Sequence, residues 1–299
     1  MSRLDLTPHW DGSDTLYVGA LVLVLVVMTA IALTLRVGVR SERGRALAAD
    51  FGARTLGWWA LVLIFIPAVL AGGGVVLGVF AVTALLAWDE FVALGKEAGL
   101  KARNLVWMGP LVAAHFLAVG GVLPGAVVVW DAAAVAVILA MRRDVRWRAL
   151  GFGCGVVALS FAPALALRFG PRWLFFAVVV VQAGDVFQYA FGKAFGRRPL
   201  APWLSPKKTW EGLWGGVAAT ALLGAGLAPV IERGRAAGLG WGLGLALAGT
   251  TGGLAMSAVK RRRGVKDFGR LLPGHGGVMD RFDSLGGAVV FAYAVLAWG

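Results

Sequence analysis

Long apolar segments alternate with short polar ones along most of the chain. The apolar segments are roughly 15 to 22 residues long, about the length that a helix needs to cross the hydrocarbon core of a bilayer. This pattern predicts an all-α, polytopic integral membrane protein with about ten transmembrane helices, near residues 15–35, 56–71, 74–94, 105–120, 124–141, 149–167, 173–195, 210–231, 238–257 and 284–299. Because the last segment is short, a protein with nine such helices is the alternative.

Composition also favours a membrane protein. Of the 299 residues, 59% are hydrophobic and only 15% are charged, which excludes a soluble fold. The single cysteine, Cys154, lies within an apolar segment and cannot form an intrachain disulfide. The first 14 residues are polar and acidic and lack the features of a signal peptide, so we expect the first apolar segment to remain as a membrane helix.

The cations are unevenly distributed between the predicted loops. If residues 36–54, 96–103, 142–148, 193–208 and 257–283 lie on one side of the membrane, that side holds 24 of the 29 Lys and Arg residues. Cytoplasmic loops carry such an excess, so the asymmetry favours ten spans with both termini outside. The net charge of +13 follows from this bias and from attraction to anionic lipid, and it does not indicate a nucleic-acid partner.

One polar segment, Ser257 to Asp283, carries both cations and carboxylates between two apolar segments. Cations can bind polyphosphate, and carboxylates can bind Mg²⁺. Gly276 and Gly277 let the backbone approach a phosphate closely, and Asp280 and Asp283 share one face if a helix starts there. The simpler interpretation, a basic loop that contacts lipid headgroups, explains the cations but not the glycines or the spaced acids.

A second segment, residues 185–216, places a carboxylate within an apolar helix and two lysines just before the next helix. An ionisable residue in a membrane helix, here Asp185, is a candidate functional residue; the alternative is a structural carboxylate bonded to a neighbouring helix. Thr209 is predicted to be an N-cap, so Lys207 and Lys208 lie ahead of a helix N-terminus, where an anion is favourable.

Both segments resemble those of a known enzyme family, the phosphatidate cytidylyltransferases, also called CDP-diacylglycerol synthases. In the first segment the family's fixed positions are filled by Ser257, Lys260, Arg261, Lys266, Asp267, Pro273, His275, Gly276, Gly277, Asp280, Arg281 and Asp283. In the second segment the resemblance lies in Asp185, Tyr189, Gly192, Gly196, Arg197 and the run Ser205 to Gly212. The resemblance covers about the C-terminal two-fifths of the chain.

The resemblance implies transfer of CMP from CTP to phosphatidic acid, giving CDP-diacylglycerol and pyrophosphate in phospholipid biosynthesis. It implies Mg²⁺ as cofactor, and CTP, phosphatidic acid and membrane lipids as partners of a homodimer. The implied catalytic residues are Asp280, Lys266, Asp267 and His275, and the implied metal ligands are Asp280, Asp283, Asp185 and Asp267. The implied contacts to substrate phosphates are Lys207, Lys208, Ser205, Lys260, Arg261, Arg281, Gly276 and Gly277.

Two positions depart from the family pattern and indicate a divergent bacterial-type subgroup. Many bacterial members carry acids where this chain has Gly253 and Met256, so the remaining carboxylates would have to bind the metal. Two alternatives therefore stay open: a cytidylyltransferase for another lipid phosphate, such as an archaeal ether lipid, and a non-catalytic lipid transporter or scaffold with a degraded site.

We expect two regions in the chain. Residues 1–172 would form six membrane helices, and residues 173–299 the catalytic membrane region with cytoplasmic loops 196–209 and 257–283. The site is expected to face the cytoplasm from a bacterial inner membrane. Asp89 and Glu90 are expected to be solvated at a helix end and His115 to be a hydrogen-bonded core residue, so none is assigned to the site.

The charge asymmetry gives a prediction about topology. Reporter tags inserted at residues 45 and 265 should be cytoplasmic, whereas tags at either terminus should not, because most cations then lie on the cytoplasmic side. Tag accessibility in intact cells and in inverted vesicles measures this. A cytoplasmic C-terminus together with a cytoplasmic tag at residue 265 would contradict a membrane span between them and thus the ten-span topology.

Overall fold

The computed structural model describes residues 71–93, 157–269 and 276–298, with shorter stretches at 63–65, 67–69 and 115–116 and single residues at 19, 22, 26, 29, 30, 33 and 59. Its helices are α1 (Gly73–Ala93), α2 (Ala158–Phe169), α3 (Pro171–Phe195), α4 (Trp210–Leu227), α5 (Arg235–Arg262) and α6 (Met279–Trp298). A 3₁₀ turn, Ala228–Ile231, extends α4. The spans predicted near 15–35, 105–120 and 124–141 lie mostly outside the described residues.

Four of the described helices are long and apolar enough to cross a membrane. They are Gly73–Phe91, Pro171–Phe195, Trp210–Ile231 and Arg235–Arg262. Their bounds agree closely with the predicted segments 74–94, 173–195, 210–231 and 238–257. The helical membrane architecture is therefore confirmed for this part of the chain, although the total of ten helices is not tested.

The sequence led us to expect a loop throughout the polar segment 257–283. The structure instead has helix at both ends of this segment. Helix α5 continues to Arg262, and α6 already begins at Met279. They are joined by the 263–278 loop, of which residues 263–269 and 276–278 are described. The extension of α5 is favourable because its last turn carries Lys260, Arg261 and Arg262, whose charges complement the negative end of the helix. Asp280 and Asp283 consequently lie in the first turns of α6.

The all-α prediction is wrong for the segment 196–209, which contains a two-stranded antiparallel hairpin. Strand β1 (Pro199–Ala201) pairs with β2 (Ser205–Thr209), with Pro199 opposite Thr209 and Ala201 opposite Ser205. Prolines at 199, 202 and 206 disfavour a helix here, and an extended hairpin tolerates them. The hairpin leads directly into α4 and so fixes where Lys207 and Lys208 lie.

Glycines allow α3, α4 and α5 to pack with their backbones close together. A Cβ on Gly212 of α4 would lie 2.8 Å from the Cα of Gly192 on α3, and a Cβ on Gly224 would lie 2.8 Å from the Cα of Gly242 on α5. Small residues at helix contacts are typical of membrane proteins, where close van der Waals packing drives association. These three helices therefore form a tightly packed unit.

Helices α1 and α2 share a hydrophobic core with α6. Phe80 of α1 and Phe282 of α6 pack edge to face with centroids 6.3 Å apart, and Phe65 lies against both rings at 5.1 and 5.7 Å. Leu159 of α2 belongs to the same cluster and is 1% exposed. The described helices on either side of residue 172 are thus joined by packing.

The glycine contacts predict opposite effects for two neighbouring substitutions in α5. Gly242→Ala should lower the free energy of unfolding by about 1–3 kcal/mol, because its Cβ would lie 2.6 Å from the backbone oxygen of Thr220. Gly240→Ala has open space and should instead raise stability by up to ~1 kcal/mol through helix propensity. Thermal unfolding in detergent measures both, and equal effects would contradict the packing described.

Candidate active site

A polar cavity of about 290 Å³ lies among α3, the β2 strand, α5 and α6. It brings together the two segments that the sequence singled out. Six of the predicted site residues line it: Asp185, Lys207, Lys208, Asp280, Arg281 and Asp283. Seven others, Ser205, Lys260, Arg261, Lys266, Asp267, Gly276 and Gly277, lie outside its lining. His275 falls outside the described residues.

Lys260 binds carboxylates of the chain itself. Its Nζ lies 2.8 Å from Asp280 Oδ1 and 3.6 Å from Asp283 Oδ2, and the residue is 8% exposed. A buried charge is tolerated only when it is paired and hydrogen-bonded. Lys260 therefore orders the two carboxylates at the start of α6.

Asp280 connects α6 to the loop that precedes it. Its Oδ2 accepts hydrogen bonds from the backbone N–H of Phe268 at 2.8 Å and of Gly277 at 3.0 Å. Gly276 adopts a positive φ of 80°, and a Cβ there would lie 2.9 Å from the same oxygen. In this arrangement Gly276 makes room for the Asp280 carboxylate, and Gly277 donates its N–H to it.

The remaining predicted residues of the loop region lie further from the cavity. Arg261 donates from Nε to the backbone oxygen of Leu204 at 3.1 Å and from a terminal nitrogen to that of Val265 at 3.3 Å. It thereby joins the hairpin turn to the end of α5. Lys266 and Asp267 are exposed on the 263–278 loop.

The lysine pair lies at a capped helix N-terminus. Thr209 Oγ1 accepts a hydrogen bond from Gly212 N at 3.1 Å, so the predicted N-cap is confirmed. Lys207 is exposed and Lys208 is partly buried. Gly253 lies beside the ammonium group of Lys208, since a Cβ on it would be 3.5 Å from Nζ, an ordinary contact distance. The cavity thus offers cations beside helix N–H groups, a combination that suits phosphate.

Asp283 has an unusual electrostatic environment. It precedes the apolar part of α6 that is predicted to span the membrane from residue 284. Burial raises the pKa of its carboxyl, Lys260 lowers it, Asp185 raises it and Lys208 lowers it, and the net result is a pKa of about 6. An additional positive charge in the cavity would stabilise the ionised form of this carboxylate.

The donor set fits Mg²⁺ that arrives with a phosphate. Among the described residues there is no group of three or more side chains able to hold a metal alone. Mg²⁺, however, usually keeps several waters and is bound by one or two carboxylates together with substrate phosphates. Asp185, Asp280 and Asp283 line the cavity, and Asp267 lies outside its lining. Asp280 is held by Lys260 and by two backbone N–H groups, whereas Asp283 is bonded to Ser284 and lies further from Lys260, so Asp185 and Asp283 suit this role better.

Glu90 is a residue that the sequence analysis missed. The expectation that Glu90 and its neighbour Asp89 are solvated is wrong: they are 3% and 6% exposed. Its carboxylate accepts hydrogen bonds from the backbone N–H of Val278 at 2.8 Å and of Met279 at 2.9 Å. These donors lie at the start of α6, where a helix has unpaired N–H groups and a positive dipole end. Glu90 of α1 therefore holds the helix that carries Asp280 and Asp283.

No sequence signal pointed to this contact, because the partners are 188 and 189 residues apart. A Cβ on Gly277 or Gly269 would overlap the Glu90 carboxylate, so both glycines are required for its approach. In contrast, the expectation for His115 is confirmed, since its Nε2 lies 2.8 Å from Ser160 Oγ in the core.

Helices long and apolar enough to cross a membrane surround a cavity lined by cations and carboxylates, which indicates an integral membrane protein. Residues 52–298 match the model of the Cytidylyltransferase family, and the chain belongs to this family.

Several similar proteins are named phosphatidate cytidylyltransferase. A phosphatidate cytidylyltransferase of Pseudomonas aeruginosa is 37% identical over 257 residues, which cover 79% of this chain and 94% of the relative. One of Brucella abortus is 36% identical over 246 residues, covering 74% and 84%. One of Mycobacterium bovis is 44% identical over 133 residues, which are 42% of each chain.

The Glu90 contact predicts a selective loss of order at the start of α6. Glu90→Gln removes the charge and one of two acceptor oxygens, so the free energy of unfolding should fall by about 1–3 kcal/mol. Hydrogen exchange at the amides of Val278 and Met279 should accelerate, and thermal unfolding should occur at lower temperature. Glu232→Gln is the control, because its ion pair with Arg172 is exposed and should contribute at most about 1 kcal/mol. Equal effects of the two substitutions would contradict a role for Glu90 at α6.

Proposed function

We propose that this membrane protein transfers CMP from CTP to phosphatidic acid, forming CDP-diacylglycerol and pyrophosphate in phospholipid biosynthesis. The observation that carries the proposal is the polar cavity, where Lys207 and Lys208 face Asp185 and Asp283 in a chain of the Cytidylyltransferase family. Opposite charges that share a cavity suit a reaction between two phosphate-bearing molecules and a divalent cation.

The proposed reaction is a direct displacement. An oxygen of the lipid phosphate attacks the α-phosphorus of CTP, the bond to the bridging oxygen of the β-phosphate breaks, and pyrophosphate leaves with that electron pair. The attacking phosphate dianion carries no proton that must be removed, so no general base is required. The task of the protein is to hold two anions in line and to neutralise their charge.

Each part of the cavity has a role in this proposal. Lys207 and Lys208 bind the triphosphate beside the N-terminus of α4, and Arg281 binds the lipid phosphate. Asp185 and Asp283 would hold Mg²⁺, which when bound neutralises charge on the phosphate oxygens and on pyrophosphate. Lys260 and Asp280 act as positioning residues, because they fix Asp283 and the 263–278 loop.

The proposal places the cavity on the cytoplasmic side of a bacterial inner membrane. The basic loops of the predicted topology support this side, and CTP is a cytoplasmic nucleotide. The exposed loop residues Lys266 and Asp267 lie outside the lining of the cavity, and His275 lies outside the described residues, so the proposal gives these three no contact with substrate. On the basis of family resemblance, the proposal also includes a homodimer.

Purified protein incubated with labelled CTP and a panel of lipid phosphates tests the proposal. We expect labelled CDP-diacylglycerol from phosphatidic acid, in a reaction that requires Mg²⁺. Combined Lys207→Ala and Lys208→Ala should raise KM for CTP at least about tenfold, since each loses a charge-assisted contact. Arg235→Ala, at the opposite end of α5, is the control and should leave KM unchanged.

The outcomes separate the alternatives. Preference for a different lipid phosphate would change the substrate but keep the reaction. Binding of lipid without nucleotide turnover would indicate a transporter or scaffold instead. Normal KM for CTP in the double lysine variant would place the triphosphate elsewhere in the protein.

A further inference from the structure

The hairpin between α3 and α4 ends in a tip that carries no charged residue. Residues 199–206 read PLAPWLSP, with two arginines directly before this run and two lysines directly after it. The turn between the strands, residues 202–204, forms the hairpin tip. Trp203 in this tip is 91% exposed, and Pro202 beside it is exposed as well. The largest apolar side chain of the hairpin therefore lies outside the core of the protein.

Hydrogen bonds hold the hairpin at both ends. At its base, Glu211 Oε2 accepts from the backbone N–H of Arg197 at 3.0 Å and from that of Arg198 at 3.2 Å. At the tip, Nε of Arg261 donates to the backbone oxygen of Leu204 at 3.1 Å. A two-stranded hairpin alone is only marginally stable in water, so these contacts fix the tip. The outward position of the tip therefore belongs to a constrained turn and not to a loose loop.

The hairpin lies beside the first turns of α4, the helix that is long and apolar enough to cross the membrane. Leu200 of β1 packs against an apolar cluster that includes Leu213 and Val217 of α4. Trp210, the first residue of α4, and Trp214, one turn further, are both exposed. Tryptophans at the end of a membrane helix are typical of the boundary between headgroups and acyl chains. The hairpin is therefore placed at the level where α4 enters the membrane.

The boundary layer of a bilayer matches the hairpin in polarity and charge. A tryptophan ring inserts among the headgroups, and cations beside it attract anionic lipids. The side chains of Arg197 and Arg198 are exposed, since it is their backbone N–H groups that Glu211 binds. A second copy of this chain is a poorer match, because a symmetric contact would bring the same cations face to face.

We propose that the hairpin tip docks into the headgroup layer of the bilayer, with Trp203 inserted and with Arg197 and Arg198 bound to anionic lipid headgroups. Lys207 lies on β2 of the same hairpin and lines the polar cavity. Docking therefore fixes the height above the membrane at which this lysine meets a phosphate. That consequence rests on the proposed function, whereas the docking itself is independent of it.

Depth-dependent fluorescence quenching tests the docking. A bimane fluorophore is attached at Pro202→Cys in a Cys154→Ser background, and the protein is placed in phosphatidylcholine nanodiscs that contain phosphatidylglycerol. The quencher is a nitroxide carried by a lipid near its headgroup. Quenching at position 202 should be at least about threefold that at Lys266→Cys, which is exposed on the 263–278 loop. Leu222→Cys, on the exposed face of α4 within the span, should be quenched best by a nitroxide deep in the acyl chains.

Substitutions of Trp203 separate insertion of this side chain from mere proximity of the hairpin to lipid. With the fluorophore kept at position 202, Trp203→Ser should lower the lipid quenching about threefold, and Trp203→Phe should retain most of it, because an aromatic ring remains. Thermal unfolding should be the same in both variants, since the side chain lies almost entirely outside the protein.

Charge substitutions test the contribution of anionic lipid. Lipid quenching at position 202 should be about twofold higher with phosphatidylglycerol than in phosphatidylcholine alone, because cations near an anionic surface are attracted to it. Combined Arg197→Gln and Arg198→Gln should abolish this difference. Combined Arg233→Gln and Arg235→Gln is the matched control, because it removes the same charge at the opposite end of α5 and should retain the difference.

Four outcomes would overturn the inference. They are lipid quenching at position 202 no greater than at 266, unchanged quenching in Trp203→Ser, equal effects of the two double arginine substitutions, and fluorophore self-quenching that appears only when two copies share a nanodisc. The last result would indicate that the tip contacts a second copy of the chain. Failure of the proposed function is distinct, because the quenching measurements require no turnover.

Discussion

The buried start of α6 is the constraint on which the site depends. A helix begins with backbone N–H groups that have no partner within the helix, and here that beginning is enclosed by other helices. Glu90 accepts from Val278 and Met279, and Asp280 accepts from Gly277 and Phe268. Two carboxylates thus satisfy four donors. The 263–278 loop, the cavity wall and the direction of Asp283 all follow from that arrangement.

Glu90 and Asp280 are two buried acids at one helix end, so their negative charge requires a positive charge nearby. Lys260 supplies part of that positive charge. Its ammonium group contacts Asp280 and Asp283 from the last turn of α5, and both members of the closer pair are nearly inaccessible. Removing one member of such a pair leaves an unpaired buried charge, at a cost of about 3–5 kcal/mol. The basic segment 257–283 resembles, in sequence, a loop that binds lipid headgroups. One of its cations, Lys260, is nevertheless buried and paired within the protein. The cations nearer the hairpin, Lys207 and Lys208, are the ones that face the cavity.

Sequence patterns predicted the features that depend on neighbouring residues. Hydropathy located α1, α3, α4 and α5 because an apolar segment of membrane length has few other conformations. The cap at Thr209 followed from local hydrogen-bond chemistry, and the spacing of Asp280 and Asp283 placed them together once a helix began there. The pairing of the 185–216 and 257–283 segments in one cavity came from family resemblance.

What could not be predicted depends on distant contacts. Glu90 looks like any acid at a helix end until α6 is placed against it. The hairpin at 199–209 was hidden because three prolines exclude a helix without specifying a strand partner. Likewise, Lys260 and Arg261 are adjacent cations of one motif, yet one bonds to carboxylates and the other to backbone oxygens, because a helix directs neighbouring side chains about 100° apart.

The contact between Glu90 and α6 has a consequence for exchanging parts between relatives. The N-terminal helices show only general hydropathy in sequence and could be taken for a replaceable membrane anchor. Yet α1 supplies the acceptor for the helix that carries the site carboxylates, and Phe80 packs against Phe282 of that helix. A chimera that joins the N-terminal helices of one family member to the C-terminal region of another must therefore bring an acid to the place of Glu90. The two regions are expected to vary together rather than as independent modules.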